Sequence, residues 1–453
     1  MQGVPPVTEI LARFARDTRR EAIPETMRRE SLRALLNWMG CAIGASRHET
    51  VERALAALRP FSGPPQATLL GRGDRLDILH AALLNGIASH TFDFDDTHLR
   101  TVIHPAGPVA SAILALAERQ PVSGSAFVEA FVIGVEVECR IGNAVYPSHY
   151  DVGWHITGTA GVFGAAAAAA RLLGLDAGQT AHALGVAATT SSGLREMFGS
   201  MCKPFHPGWA ARNGLMAALL AQQGFTSAAH AIEGRRGFAN VLATDRDYSA
   251  ITDRLGETWE LAENSYKPFA CGVVIHPIID GCIELRNTYG IEPAQVASVH
   301  ADVHPLVLEL TGKTEPQSGL EGKFSVYHSA AVALIDGTAG QAQYSDARVR
   351  DAQVIALRDK VKVSVDGSMA EDAARVSVTL NDGRTLEHHV EHAIGSLERP
   401  MDDEDLMQKF RDLTVPIAGE HVTETLIEQV WALERMDDVG RLAAMTVPSH
   451  APR

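Results

Sequence analysis

The 453-residue chain has no CxxC pair, and its cysteine count is odd: Cys41, Cys139, Cys202, Cys271 and Cys282. That excludes a disulfide framework and a cysteine-held zinc or iron–sulfur centre, and it fits a reducing compartment. Long apolar runs are also missing. The longest, Gly158 to Ala170, has 13 residues rich in glycine and alanine. A bilayer span needs about 20, so this run reads as a tightly packed buried helix and no membrane partner is expected. Met1 to Glu9 lacks the basic-then-apolar order of a targeting segment, which places the protein in the cytoplasm. Basic charge is in deficit: 40 Lys and Arg stand against 55 Asp and Glu, a net of −15. A nucleic-acid partner would want a basic face and is not expected. If the substrate is itself an anion, its pocket must be locally basic against that field.

What the chain does have is a core. Apolar residues make up 46% and charged residues 21%, ordinary for a globular protein. The first 260 residues read as successive helices. Leu32, Leu35, Leu36 and Met39 recur on one helical face, as do Ile78, Ala81, Ala82 and Ile87, and Ala126 to Val145 is apolar nearly all round. Asp176 with Gln179 has the spacing of a capping box, and Gly224-Phe225-Thr226 should close one helix and cap the next. After about residue 290 the period changes to two. Ala297, Val299, Ala301 and Val303 alternate with polar residues, as do Val361 to Val365 and Val376 to Leu380. Asn381-Asp382-Gly383 signals a hairpin into Thr385 to Val390, and Ser329 to Leu334 reads as helix. Helices return with Asp402 and Asp405 as a cap, then Val422 to Leu442. The fold class expected is mostly α: residues 1–262 and 392–453 form a large helical domain, and 263–391 a smaller α+β lid domain.

Five stretches could carry chemistry. His90 to His104 packs His90, Asp93, Asp95, Asp96, Thr97, His98, Arg100 and His104 together. Such a run could hold a metal, do acid–base work, or be only a solvated helix end. Tyr150 to Gly158 sets His155 just before the glycine–alanine helix, whose first N–H groups favour an anion. Met201 to Gly208 holds Lys203 and His206 in a proline-rich turn. Lys267 to Gly272, with His276 behind, falls on the expected domain junction, where pockets often lie. Cys271 in that stretch reads as a small buried hydrophobe rather than a nucleophile. Gly322 to Ser329 places Lys323, Tyr327 and His328 before a helix.

Five segments in this order, DFDDT with its HP, GWHITGTAG, CKPFHPGWAARNG, KPFACGVVIHPIID and KFSVYHSAAVALIDG, resemble the MmgE/PrpD family from about residue 30 to 430. The family includes 2-methylcitrate dehydratase, cis-aconitate decarboxylase and iminodisuccinate epimerase. The resemblance implies a helical domain with an α+β lid, a homodimer, no cofactor, no metal, and a small anionic carboxylate as substrate. It puts a decarboxylase-type site on Asp93, Thr97, His104, His155, Lys203 and His276. The aromatic hydroxyl expected after KFS is replaced by His328, with Tyr327 one residue earlier.

The implied chemistry is proton transfer at a carbon next to a carboxylate, 2-methylcitrate dehydratase-like, with decarboxylation and epimerisation as alternatives. Fixed cations must hold the extra negative charge that develops. His104, His155, Lys203 and Asp93 are the expected catalytic residues. Lys203 clamps and stabilises, the histidines move protons, and Asp93 orients one of them. Thr97, Arg100, Tyr150, Lys267, His276, Tyr327 and His328 are expected to bind substrate. Rivals from other classes are a metal-dependent hydrolase using His90, Asp93, Asp95, Asp96, His98 and His104, and a non-catalytic carboxylate-binding protein.

Overall fold

The computed structural model describes residues 4–448. The outer ends of the two expected helical segments, 1–3 and 449–453, lie outside the described residues, as does the start of the segment read for targeting. Among the described residues, no helix is long and apolar enough to cross a membrane.

Seven long helices build the first half: α1 (Glu25–Gly44), α2 (Ile78–Thr91), α3 (Ala106–Arg119), α4 (Gly124–Val145), α5 (Ile156–Leu172), α6 (Ala177–Thr190) and α7 (Cys202–Gln222). Local chemistry fixes their starts. Asp77 accepts from the backbone N–H groups of Leu79 and His80 to open α2, and the Asp176–Gln179 capping box opens α6. The 13-residue apolar run forms the buried body of α5. The helix α7 lies against α2, α3, α5 and α6 and is the hub of this half.

Two glycines allow the tightest crossing. A Cβ on Gly86 of α2 would stand 2.6 Å from the Gly208 Cα of α7, and one on Gly208 would run into the Leu83 carbonyl. This contact sets the end of α2, with His90, beside the start of α7, with Lys203 and His206.

The second half centres on a four-stranded sheet of β1 (Val296–Val303), β2 (Val361–Val365), β3 (Ala374–Leu380) and β4 (Thr385–Val390). The order is β2-β1-β3-β4; β1 and β2 run parallel and the other pairs antiparallel. Helices α8 (His276–Tyr289) and α10 (Val326–Asp336) pack on each other, with α8 against β3 and β4, and the short α9 (Pro305–Thr311) follows β1. Asn381 to Gly383 makes the expected hairpin, with Gly383 at φ +89°.

Four expectations are corrected. The register shifts between Val296 and Ser298, so Val296 is buried and Ala297 is exposed. A bulge of this kind reverses the face of the residues before it. At the sheet edge β2 buries only Val361, because no neighbour covers its far side. Val422 to Leu442 is a helix only as far as Trp431, after which a 3₁₀ turn and the short Gly440–Met445 helix follow. Gly224 does end α7 at φ +82°, but turns rather than a helix come next.

The last long helices, α11 (Asp403–Ala418) and α12 (Glu420–Trp431), return to α1. Their apolar residues Leu406, Phe410 and Leu426 share a core with Leu35, Leu83 and Ile113. The sheet-centred core reaches across to Phe92 and Phe94, so the loop after α2 lies on the seam between the two. A two-residue antiparallel bridge, Thr97–His98 with Asn264–Ser265, ties that loop to the segment leading into Lys267.

Replacing Gly208 by alanine should destabilise the fold by about 1–3 kcal/mol, since a helix crossing this close has no room for a methyl. Thermal unfolding should show a melting temperature lower by a few degrees. An unchanged value would mean that α2 and α7 do not touch at Gly86 and Gly208.

Candidate active site

Asp93 stands at the exit of α2, where its backbone is left-handed at φ +50°. Such a conformation costs a residue with a side chain roughly 1–2 kcal/mol, and something must hold it. Lys267 does: its Nζ donates to the Asp93 carbonyl at 3.1 Å and to Asp93 Oδ1 at 2.8 Å. Lys203, from α7, donates to the same Oδ1 at 2.9 Å. All three side chains are buried. Burial alone would raise the Asp93 carboxyl, but the two ammoniums outweigh it and hold it well below the usual range. Burial lowers Lys203, partly offset by Asp93. For Lys267 the acids Asp93 and Asp95 more than offset the burial cost.

Beside this ion cluster lie three imidazoles in ring contact. His90 is 4.6 Å from His104 and 5.7 Å from His155, centroid to centroid. His104 Nδ1 sits 2.7 Å from the Asp96 carbonyl oxygen. A carbonyl can only accept, so His104 Nδ1 carries the proton. Burial holds this ring well below its ordinary value. It is therefore neutral, with its lone pair on Nε2, the form a general base requires. His90 Nδ1 donates to Asp95 Oδ2 at 2.7 Å. Burial opposes ionisation of Asp95, but the facing His90 and His104 reverse that and keep it a carboxylate. His155 caps the start of α5, and its Nδ1 meets His206 Nδ1 at 2.8 Å. Phe198 closes on His155 edge-on at 5.0 Å.

Two more lysines complete the local field. Lys323 Nζ donates to the Ala270 carbonyl at 2.8 Å and to Gln341 at 2.9 Å, and burial pulls it down to about 7. Lys409 of α11 donates to the carbonyls of Phe94 and Lys267, and burial brings it to about 8. Asp96, buried and next to Asp95, is pushed up to about 8 and accepts from Asn264 at 3.0 Å. Four buried lysines thus face two ionised aspartates, Asp93 and Asp95, inside a protein of net charge −15. The local positive charge that an anionic substrate would need is concentrated at this cluster.

Of the residues singled out in the sequence, Asp93, Thr97, His104, His155, Lys203 and Lys267 come together. Thr97 Oγ1 is 3.3 Å from His104 Nδ1. His276 is buried, under the charge influence of Lys267 and Asp93, and lines an adjoining hollow with Tyr150. Tyr150 itself lies under the Arg195 guanidinium at 4.0 Å.

Three expected binding residues lie elsewhere. Arg100 is half exposed and faces Glu260 and Glu263, which take up its charge. Tyr327 packs against the sheet-centred core. His328 approaches the Gln343 carbonyl at 2.9 Å and packs at a tilt against Tyr344, because the first turn of α10, capped by Ser325, turns it into that core. Cys271 is buried and its thiol is pushed up to about 12 by burial, in keeping with a packing role.

Of the six residues of the metal alternative, His90, Asp95 and His104 offer ligand atoms within 4.8 Å of one another. The others are engaged elsewhere: Asp93 with lysines, Asp96 with Asn264, and His98 with Glu260 and Thr101. Residues that the carboxylate-enzyme reading of the sequence left without a role are His90, Asp95, His206, Lys323 and Lys409, the first two having been named only for the metal alternative. Asp95, His206 and Lys323 lie inside the quoted motifs, and His90 stands three residues before the first. Lys409 had no signal beyond one lysine within an apolar helical face.

The chain is similar to known proteins along most of its length. The MmgE/PrpD N-terminal domain matches residues 9–251 and the MmgE/PrpD C-terminal domain residues 269–435. A cis-aconitate decarboxylase of Aspergillus terreus is 27% identical over 96% of this chain and 95% of its own length. One of Mus musculus is 27% identical over 97% and 93%. A 2-methylcitrate dehydratase of Cupriavidus necator is 24% identical over 83% and 84%. With both family domains matched in order along nearly its whole length, the chain is an enzyme of the MmgE/PrpD family.

Proposed function

We propose that this enzyme is a lyase for a small di- or tricarboxylate, and that its own imidazoles transfer a proton at the carbon next to a carboxylate. The observation that carries the reading is the pairing of two buried ammoniums on Asp93 with the neutral His104 ring, its Nδ1 committed to the Asp96 carbonyl. A neutral Nε2 is suited to remove an α-proton. The electron pair released moves into the neighbouring carboxylate, whose added charge Lys203 and Lys267 stabilise in a water-poor site. The pair then forms the carbon–carbon double bond as the hydroxyl departs from the adjacent carbon. His104, protonated by the first step, returns that proton to the departing hydroxyl, which leaves as water. That is a dehydration of the 2-methylcitrate type. In support of two units closing on the substrate, His104, His155 and Lys203 come from the first half, while Lys267 and His276 lie at the junction with the second.

A second reading is decarboxylation. The similarity to cis-aconitate decarboxylases over nearly the whole chain favours it. There the bond to the departing carboxylate supplies the electron pair, and an imidazole protonates the carbon left behind. Incubation in deuterated water with a panel of citrates, cis-aconitate and iminodisuccinate separates the chemistries. Loss of water, loss of carbon dioxide with one deuterium gained, or exchange alone each names its reaction. If no member of the panel reacts or exchanges, the lyase reading is wrong.

Replacing Lys203 by methionine keeps the side-chain length and removes the charge. Turnover should fall by roughly 10²–10³, the scale seen for loss of one charge-stabilising donor. Wild-type turnover would contradict the role.

The pH profile has a definite sign. His104 must be unprotonated, and burial lowers it, so activity is lost on the acid side only well below pH 6.5. Lys203 must be protonated, and burial lowers it too, so the alkaline loss begins below pH 10.5. A rate that instead halves near pH 6.5 would argue against a buried neutral base.

Dialysis against a chelator should leave turnover unchanged, because in this reading Lys203 and Lys267 supply the positive charge that a metal would otherwise provide. Loss of activity restored by a divalent ion would assign His90, Asp95 and His104 to a metal.

A further inference from the structure

Beside the charged cluster lies a hollow of about 400 Å³ with a different character. Its walls include Leu99, Val102, Val273, Leu306, Leu310 and Leu397. On the side of the charged cluster it is lined by His276, which feels the charges of Lys267 and Asp93, and by Leu99 and Val102 from the loop between Thr97 and His104. His276 is buried, and its Nε2 has no hydrogen-bond partner among the described residues. At the other end the rim carries Glu371, Asp372 and Glu398, with His392 bonded to Asp372 at 2.7 Å.

This division of labour is informative. A citrate-like anion has no apolar part that could use such walls, and the acidic rim would repel its carboxylates. The carboxylates must lie toward Lys203 and Lys267, so whatever occupies the hollow is uncharged. Val102 adds an independent sign. It is β-branched yet held left-handed at φ +54°, a costly conformation for such a residue, and strain of this kind is retained where it shapes a site.

We propose that the substrate is a polycarboxylate bearing a hydrocarbon substituent of several carbons, which lies in this hollow while the carboxylate head reaches the lysines past His276. The proposal rests on the lyase reading above and extends it from a methyl-sized or absent substituent to an alkyl chain. Burying a methylene contributes about four-fold in binding (about 0.8 kcal/mol), and the volume lies within the range of pockets that enclose small organic ligands.

The test is a series of citrates and cis-aconitates carrying hydrogen, methyl, butyl or hexyl at one carbon, assayed in deuterated water for exchange, water loss and carbon dioxide loss. The expected result is kcat/KM rising about four-fold per methylene until the hollow is full. If the unsubstituted acid reacts as well as or better than the alkylated ones, the proposal falls and the lyase reading stands. If no member reacts, both fall.

The double substitution Leu306→Asn with Leu310→Asn locates the chain. With a wild-type melting temperature, it should flatten the series. An undiminished rise with chain length would show that the alkyl group lies elsewhere and overturn the proposal. Light scattering on the same variant covers the other occupant: a loss of mass would mean that a second copy of the chain covers this face, which also overturns it.

Discussion

The buried charge cluster depends on one arrangement, the Asp93 carboxylate held between two buried ammoniums. Taking an ion out of water costs several kcal/mol even after the protein relaxes. Lys203 and Lys267 could not both stay charged here without a counter-ion that is itself fixed. Asp93 is fixed twice, by its side chain and by the Lys267 bond to its carbonyl, and this explains why an aspartate tolerates a left-handed backbone at that point. Segments far apart in sequence converge on one oxygen: the end of α2, the start of α7 and the stretch after the Asn264–Ser265 bridge. Oδ2 of the same carboxylate is buried without a partner among the described residues. The cluster is thus saturated on one side and open on the other.

The neutral imidazoles follow from the same electrostatics. Lysine charge lowers the affinity of His90, His104 and His155 for protons, in the same direction as burial. The aspartate that could reverse this, Asp95, is shared between His90 and His104. The backbone carbonyl of Asp96 then fixes the tautomer of His104. In effect burial, aided by the lysines, sets the protonation state of these imidazoles, and a loop carbonyl sets which nitrogen of His104 is available. The tight crossing at Gly86 and Gly208 is what lets these groups approach.

Much of this was legible in the sequence, because residues that carry chemistry lie in short runs whose spacing survives folding. Asp93, His104, His155, Lys203 and Lys267 could be named before any geometry was known, as could the helical first half and the hairpin at Asn381 to Gly383. What was not legible depends on direction rather than identity. His328 and Lys323 are five residues apart, yet the start of α10 turns the histidine into the sheet-centred core while Lys323 stays near the site. Arg100 is in the densest run of charges, but the chain reverses there and exposes it to Glu260 and Glu263. His206 was visible as a residue and invisible as a partner, since its Nδ1 contact crosses from α7 to the cap of α5. Lys409 gave no signal because a single lysine within an apolar face usually reaches for solvent. Here it finds two carbonyls instead.

The juxtaposition of a charged cluster and an apolar hollow also has an electrostatic consequence. Charges act more strongly where water is scarce, and an apolar wall beside the lysines keeps it scarce. A substrate filling that wall would exclude the remaining water as it docks, so the part of the molecule that does not react would strengthen the hold on the part that does. Acid groups at the outer rim oppose entry of a carboxylate from that end and so favour one orientation. Selection of substrate and stabilisation of the developing charge then come from the same boundary, the line between Asp93 with its lysines and the apolar walls beyond His276.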